Sequence, residues 1–167
     1  MESEDLIEHA RKLIKSGKGK PKQVELKRAI SAAYYSLFHR FLKAAADDLI
    51  GSTAAARKSS AYKLIYRGFE HSRMRTIAIE AAKAQMPAKL AEASGYAQFS
   101  EKIRAAAQAF VELQQKRHSA DYDPQFRFSK SDARVAIELA VFGGSMLDTA
   151  NVIERRSFLL CMLMPQR

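Results

Sequence analysis

An apolar pattern that recurs every three or four residues ends in a group suited to chemistry. Its spacing is that of one face of a long helix, and its members are Phe99, Ile103, Ala106, Phe110 and Leu113. The next position of the same pattern is Arg117. A permanent charge at a buried position is costly unless it is paired or has a function. The guanidinium of Arg117 is therefore the first candidate for a functional group.

Three further candidate residues follow within five positions: His118, Asp121 and Tyr122. Arg117 and Asp121 are four residues apart, so they share one face if the helix continues that far. They form either a structural ion pair that ties the helix end to its loop, or part of a site. His118 lies about 100° around the helix. Its imidazole is either an acid or base near neutral pH or a solvated side chain.

A second group of candidates lies earlier in the chain. Tyr35 and His39 are helical neighbours at a spacing of four, and the simpler interpretation is an aromatic core with a hydrogen-bonded histidine. The basic stretch 66–75 is either a solvated face or the lining of a phosphate path. Its candidate RNA-binding residues are Arg67, His71, Arg73 and Arg75.

Metal and cofactor sites are not expected. The four histidines (9, 39, 71 and 118) have no metal-ligand spacing, and Cys161 is the only cysteine. The glycines of 17–20 lack the preceding strand and the longer spacing of a nucleotide-binding loop, so a linker is the better interpretation. We therefore expect neither a bound metal nor a cofactor.

Composition favours one basic globular domain. The chain has 167 residues, 47% of them hydrophobic, and a formal net charge of +10. A basic domain of this size indicates a polyanionic partner, nucleic acid first, unless the charge is only a basic surface. No signal peptide opens the sequence, and its longest apolar run, 158–164, is about a third of a membrane span. We expect a cytoplasmic protein without membrane contact.

The secondary-structure signals predict an all-α domain, an up-and-down bundle of about five helices. Strand and hairpin signals are missing. Predicted helices cover about 3–15, 21–49, 57–85 (interrupted near Gly68), 99–120 and the segment from 129 or 131 onward. A break is expected at 16–20, a loop at 121–128, and no assignment is clear for 86–98.

The predicted core covers about 21–150 of a single domain spanning 1–167. On the second helix the predicted buried face is Leu26, Ile30, Ala33, Leu37 and Phe41, with Tyr34, Phe38 and Leu42 beside it. On the fifth it is Val135, Leu139, Phe142, Met146, Thr149 and Ile153. An apolar tail, 157–167, must pack either on this core or on a partner.

Two segments resemble the signatures of small bacterial HEPN domains. The stretch 28–39 (RAISAAYYSLFH) resembles the second-helix signature, and 113–124 (LQQKRHSADYDP) is similar to the late-helix signature. The resemblance spans roughly 21–150. It implies a helical bundle, pairing of two copies, and, in many members, metal-independent endoribonuclease activity in toxin–antitoxin, antiphage or RNA-processing systems.

In that family the site is an arginine followed a few residues later by a histidine. Arg117 matches the arginine, but Tyr122, Asp123 and Pro124 stand where the histidine is expected. Tyrosine, with a pKa near 10, is a poor base at neutral pH. Proton transfer would then fall to His118, His39 or His71, with Arg117 stabilising the charge that develops on a cleaved phosphodiester.

Three hypotheses follow from the resemblance. The chain is an RNase that acts through Arg117 and a histidine, or a non-catalytic module that binds RNA or nucleotide or scaffolds a complex. In the third, it is regulated by a nucleotidyltransferase-type antitoxin, with Tyr122 as the acceptor. The expected partners are RNA, a second copy of the chain, and that antitoxin.

Overall fold

In the computed structural model every regular element is an α-helix. The structure describes residues 3–15 and 19–164, and no β-strand occurs within them. These residues form α1 (Ser3–Lys15), α2 (Gln23–Leu49), α3 (Ala54–Lys58), α4 (Ser60–Arg67), α5 (His71–Ala81), α6 (Ala88–Ser94), α7 (Glu101–Tyr122), α8 (Lys130–Thr149) and α9 (Val152–Leu163). The predicted all-α class is confirmed. Part of the predicted break, 16–18, lies outside the described residues.

The described helices number nine, whereas about five were predicted, because the middle of the chain is divided. Thr53 and Ser59 each accept a hydrogen bond from a backbone N–H three residues ahead, which starts α3 and α4. Gly68 ends α4. The unassigned segment 86–98 contains α6, which ends at Gly95, whose φ of +75° suits glycine. The predicted helix at 57–85 is thus three shorter helices.

The core is built around α2, which packs on α1, α7 and α8. The faces predicted for α2 and for 99–113 are buried as expected: the most exposed of these residues is Phe38, at 7%. The core also extends beyond 21–150, because Ile7 and Ile14 of α1 and Phe158 of α9 belong to it.

The face predicted to be buried on the fifth helix, now α8, is confirmed only in part. Leu139 and Met146 are partly buried against the core, but Val135 is 49% exposed and Phe142 48%. Ile153, also predicted for this face, lies on α9 and is 66% exposed. The buried side of α8 consists instead of small residues and two larger ones: Ala133, Ala136, Ala140, Gly143, Gly144, Ile137 and Leu147. The reason is closeness of packing: a Cβ at Gly143 would lie 2.7 Å from the Cβ of Ala109 on α7. Three apolar side chains of α8 face outward instead: Val135, Val141 and Phe142.

The apolar tail folds back on its own chain as α9. Phe158 is fully buried, with its ring centroid 5.4 Å from that of Phe99 and 6.1 Å from that of Phe41. The buried carboxylate of Glu154 accepts hydrogen bonds from the backbone N–H and the hydroxyl of Ser100, at the start of α7. One end of the helix that carries Arg117 is thus fixed by α9. Residues 165–167 of the predicted tail lie outside the described residues.

No individual helix among the described residues has the length and apolar character needed to cross a membrane. The pair α8 and α9 passes that test together but is bent by 118° at the break between them.

Candidate functional site

Arg117 lies inside α7, because the helix continues to Tyr122 and the loop predicted to begin at Asp121 begins later. Its Nε is 2.7 Å from Oδ2 of Asp121, and the Arg117 side chain is only 19% exposed. The Nε–H is not directed at a hydrogen-bond acceptor, so this contact is an ion pair held by proximity. The other Asp121 oxygen accepts a hydrogen bond of 2.5 Å from Ser31 of α2.

Aromatic rings surround the guanidinium. Its Nη2 donates a 2.9 Å hydrogen bond to the hydroxyl of Tyr35. The central carbon of the guanidinium lies 5.5 Å from the ring centroid of Tyr35, 5.9 Å from that of Tyr34 and 5.3 Å from that of Tyr122. Burial alone would lower the pKa of Arg117, but Tyr35 and Asp121 outweigh it and raise the pKa. Arg117 therefore keeps its charge in a half-buried aromatic setting.

His71, the first residue of α5, lies beside this arrangement. Its ring stacks on Phe38 at 4.2 Å between centroids, and its Nδ1 is 2.6 Å from the hydroxyl of buried Tyr34. Burial, then the positive charge of Arg117, lowers the pKa of His71 below its usual 6.5. Burial also raises the pKa of Tyr34 far above 10. At neutral pH the pair is an uncharged imidazole against an uncharged phenol.

His39 lies on α2, one helical turn after Tyr35. Its Nδ1 is 2.8 Å from the hydroxyl of Tyr66, and the two rings stack. Burial lowers the pKa of His39 as well. The Tyr35 ring is near both histidines, with its centroid 6.5 Å from that of His39 and 6.3 Å from that of His71. The hydrogen-bonded histidine expected on α2 is confirmed, and a second one joins it.

A cavity of about 420 Å³ opens beside Arg117. It is lined by two guanidiniums, two amides and an imidazole, belonging to Arg75, Arg117, Gln114, Gln115 and His118. No carboxylate is among these residues. The side chain of His118 is exposed, with its ring 5.0 Å from that of Tyr122. The chemistry of these walls suits an anion with hydrogen-bonding groups, such as a phosphate ester.

The remaining candidates separate into those near Arg117 and those away from it. Tyr122 is 64% exposed at the end of α7. Arg73 donates to the backbone oxygen of Leu163 and pairs with Glu70, so it fixes α5 against α9. Arg67 is exposed at the end of α4, next to Tyr66. Arg73 thus has a structural contact, whereas Arg75 lines the cavity.

The sequence analysis did not identify four residues that contact or support the site: Ser31, Tyr34, Tyr66 and Gln114. Ser31 precedes Tyr34 by three residues and Tyr35 by four, a helical spacing that could have indicated it. Gln114 precedes Arg117 by one helical turn, and its Nε2 donates to the backbone oxygen of His71. Its Oε1 is buried and has no hydrogen-bond partner. Tyr66 and His71 come from distant segments, and no spacing in the sequence connects them to α2 or α7.

Within the described parts of the chain, no group of three or more His, Cys, Asp or Glu side chains is arranged to hold a metal ion. The arrangement supplies one permanent cation, two neutral histidines and a cationic cavity. These groups can bind a phosphodiester, stabilise charge on it and move a proton. No protein-family model, curated protein or solved structure matches this chain.

Proposed function

We propose that this chain is a HEPN-type RNA-targeting protein, a metal-independent endoribonuclease of a toxin–antitoxin or antiphage defence system. One observation carries the proposal: the half-buried guanidinium of Arg117 lines a cationic cavity and lies 5.9 Å from the ring of Tyr34, whose hydroxyl contacts His71. The all-helical fold and the formal charge of +10 agree with this function. In this proposal α2, α7 and α8 form the centre of a HEPN-like bundle.

The proposed reaction is an internal transesterification of RNA. The ribose 2′-oxygen attacks the adjacent phosphorus, His71 takes the 2′ proton, and the bond from phosphorus to the 5′-oxygen breaks. His118, which lines the cavity at Arg117, gives a proton to that leaving oxygen. Arg117 stabilises the negative charge that builds up on the phosphorane-like transition state. The products end in a 2′,3′-cyclic phosphate and a 5′-hydroxyl.

His71 needs an unprotonated Nε2 to act as the base. This requires the proton on Nδ1, where the Tyr34 oxygen, 2.6 Å away, accepts it. The Tyr34 hydroxyl hydrogen then needs another acceptor. Gln114 is close enough to affect the pKa of Tyr34, and its buried Oε1, which has no hydrogen-bond partner in the structure, is the acceptor that the proposal assigns to this hydrogen. In the proposal Gln114 and Tyr34 therefore position His71 in its basic tautomer.

The test is incubation of the purified protein with total cellular RNA and tRNA in EDTA. We expect cleavage with cyclic phosphate ends, and loss of that cleavage, by about a hundred-fold or more, in Arg117→Ala. Arg134→Ala on the exposed face of α8 is the matched control and should cleave like the wild type. Circular dichroism of Arg117→Ala should remain helical.

Two results would contradict the proposal. Wild-type protein that leaves RNA intact over a wide concentration range is not an RNase of this type. Cleavage that persists in Arg117→Ala comes from another site. If Arg117→Ala fails to fold, the structural ion-pair interpretation gains support, and Arg117→Lys, which keeps the charge, then tests the chemistry.

A second candidate function is a non-catalytic module that binds RNA or scaffolds a complex. The observation that favours it is Tyr122, which is exposed on α7 where the resemblance calls for a histidine. An exposed phenol also suits modification by a partner nucleotidyltransferase. Affinity purification from cells should then recover that transferase, and mass spectrometry should find the nucleotidyl group on Tyr122.

A further inference from the structure

A second cavity, of about 400 Å³, opens on the neighbouring face of α7. It lies between the last turns of that helix and the segment that follows it, with Gln115, Lys116, Phe126, Arg127 and Phe128 in its walls. The loop is held in shape, because the backbone N–H groups of Gln125 and Phe126 both donate to Oδ1 of Asp123. The cavity is therefore part of the folded surface beside the candidate site.

The two cavities differ in charge. In the second, Lys116 and Arg127 are balanced by the carboxylates of Glu112 and Asp132. Glu112 pairs with Lys116 at 3.5 Å, and Asp132 caps α8 through Ser129. The cavity at Arg117 has two guanidiniums and no carboxylate in its wall, and although Asp121 pairs with Arg117, the charge of Arg75 is left without a carboxylate in the lining. The first cavity thus suits a phosphate, whereas the second suits an uncharged group.

An exposed aromatic ring forms one wall of the second cavity. Phe126 is 46% exposed, and its ring centroid lies 4.7 Å from that of buried Phe128. The ring is thus supported from within and open to solvent outside. An exposed aromatic side chain bordered by cations is the kind of surface on which a nucleobase stacks.

Gln115 lines both cavities, so they adjoin across α7. We propose that together they form one groove that binds an unpaired RNA strand, with a phosphate at Arg75 and Arg117 and a neighbouring base stacked on Phe126. Bases in a duplex are already stacked on both faces, so Phe126 selects single strands. This assignment rests on the proposed function, since it names the substrate class of the same site.

The test is fluorescence anisotropy with a labelled single-stranded RNA decamer whose 2′-hydroxyls are methylated, which prevents cleavage through them. We expect Phe126→Ala to weaken binding about ten-fold and Phe126→Tyr to restore it, because stacking survives in tyrosine. Arg75→Ala should reduce the slope of log affinity against log salt by about 1, whereas Phe126→Ala should leave that slope unchanged. Phe142→Ala on α8, with 48% of its side chain exposed, is the matched control and should bind like the wild type.

Three outcomes would contradict the proposed groove. The wild type fails to bind the decamer, a methylated RNA duplex binds as tightly as the single strand, or Phe126→Ala and Phe142→Ala change the affinity equally. Cleavage of unmodified RNA, measured in parallel, separates the two proposals. Cleavage that does not depend on Phe126 supports the RNase proposal and contradicts the groove. Binding that depends on Phe126, without any cleavage, supports the groove and contradicts the RNase proposal.

Discussion

The imidazole of His71 lies among groups that oppose its protonation. Burial against Phe38 removes water from one face of the ring, and the Arg117 charge adds repulsion. Both effects favour the neutral form, which is the form a general base needs. The same aromatic surroundings keep Arg117 charged. One small region thus holds a permanent cation and a neutral base side by side.

The pH dependence of cleavage follows from this environment. Because the pKa of His71 is lowered from 6.5, its base form is present down to more acidic pH than in a free histidine. We expect the acidic limb of the rate profile to have its midpoint below pH 6.5, with the rate rising as pH increases through it. An NMR titration of the His71 ring should give the same midpoint.

The contribution of Arg117 to that midpoint can be measured separately. Arg117→Gln removes the positive charge, so the NMR midpoint of His71 should move up toward 6.5. Arg134→Gln removes a charge on the exposed face of α8 and should leave it unchanged. A His71 midpoint at or above 6.5 in the wild type would contradict this account of the site.

Some residues of the candidate site could be predicted from the sequence, and others could not. Arg117, Asp121 and Tyr35 follow helical spacings, and the structure brings them into contact. His71 was a candidate as a member of a basic stretch and as one of three possible proton carriers, but nothing connected it to Tyr34 or Phe38, because these neighbours on α2 are 37 and 33 residues away in the chain. Such contacts depend on how α5 packs against α2 and α7, which local spacing does not specify.

At the scale of the helices, α8 shows what apolar spacing alone misses. Val135 and Phe142 have the helical spacing of a buried face, yet they face outward. At Gly143, α2 and α7 approach α8 too closely for a larger side chain. In α2 and α7 the large apolar residues are the buried ones, so the same reasoning succeeds there. Side-chain size, besides hydropathy, decides which face of α8 is buried.

Gly143→Ala should destabilise the fold. A Cβ at Gly143 would lie 2.7 Å from the Cβ of Ala109 and 3.2 Å from Leu37, so helices must move. Overpacking costs about 1–3 kcal/mol, and better helix propensity offsets about 1 kcal/mol of it. We expect a net loss of about 1 kcal/mol, or a melting temperature about 2–4 °C lower.

Gly144→Ala is the matched control, one residue along the same helix. Its added Cβ would meet the side chain of Arg40, 2.8 Å from Cδ, and a flexible side chain can move away. Thermal denaturation should therefore place Gly143→Ala below Gly144→Ala. The opposite order would mean that α7 and α8 separate more easily than the packing indicates.

Across the whole molecule, acid should destabilise the fold in two separate ranges. Because the pKa values of His39 and His71 are lowered by burial, the unfolded chain binds their protons first, and stability falls as pH drops below about 6.5. Burial would raise the pKa of Asp47, but Arg57 and Lys43 outweigh it and lower the pKa. Stability contributed by Asp47 is therefore present above pH 3.8 and is lost as pH falls through its lower native pKa.

Melting temperatures between pH 8 and pH 3 measure both ranges. In the double variant His39→Gln with His71→Gln, the melting temperature should no longer fall in the upper pH range but should still fall in the lower one. In Asp47→Asn, the fall in the lower range should be smaller, and the fall in the upper range should be unchanged. A melting temperature that stays constant from pH 7 to pH 5 in the wild type would show that the histidines titrate normally.

The buried phenol of Tyr34 also gives the protein an optical signal of its own. The chain contains six tyrosines and no tryptophan, so phenolate absorbance is not obscured by indole. Burial raises the pKa of Tyr34 far above 10 and that of Tyr62 to about 12. In an alkaline titration these two rings should not yet show the near-ultraviolet absorbance of phenolate after ordinary tyrosines have ionised, and Tyr34 should ionise only when the helices around Arg117 separate. Its late absorbance step would then report the opening of the site without any added label.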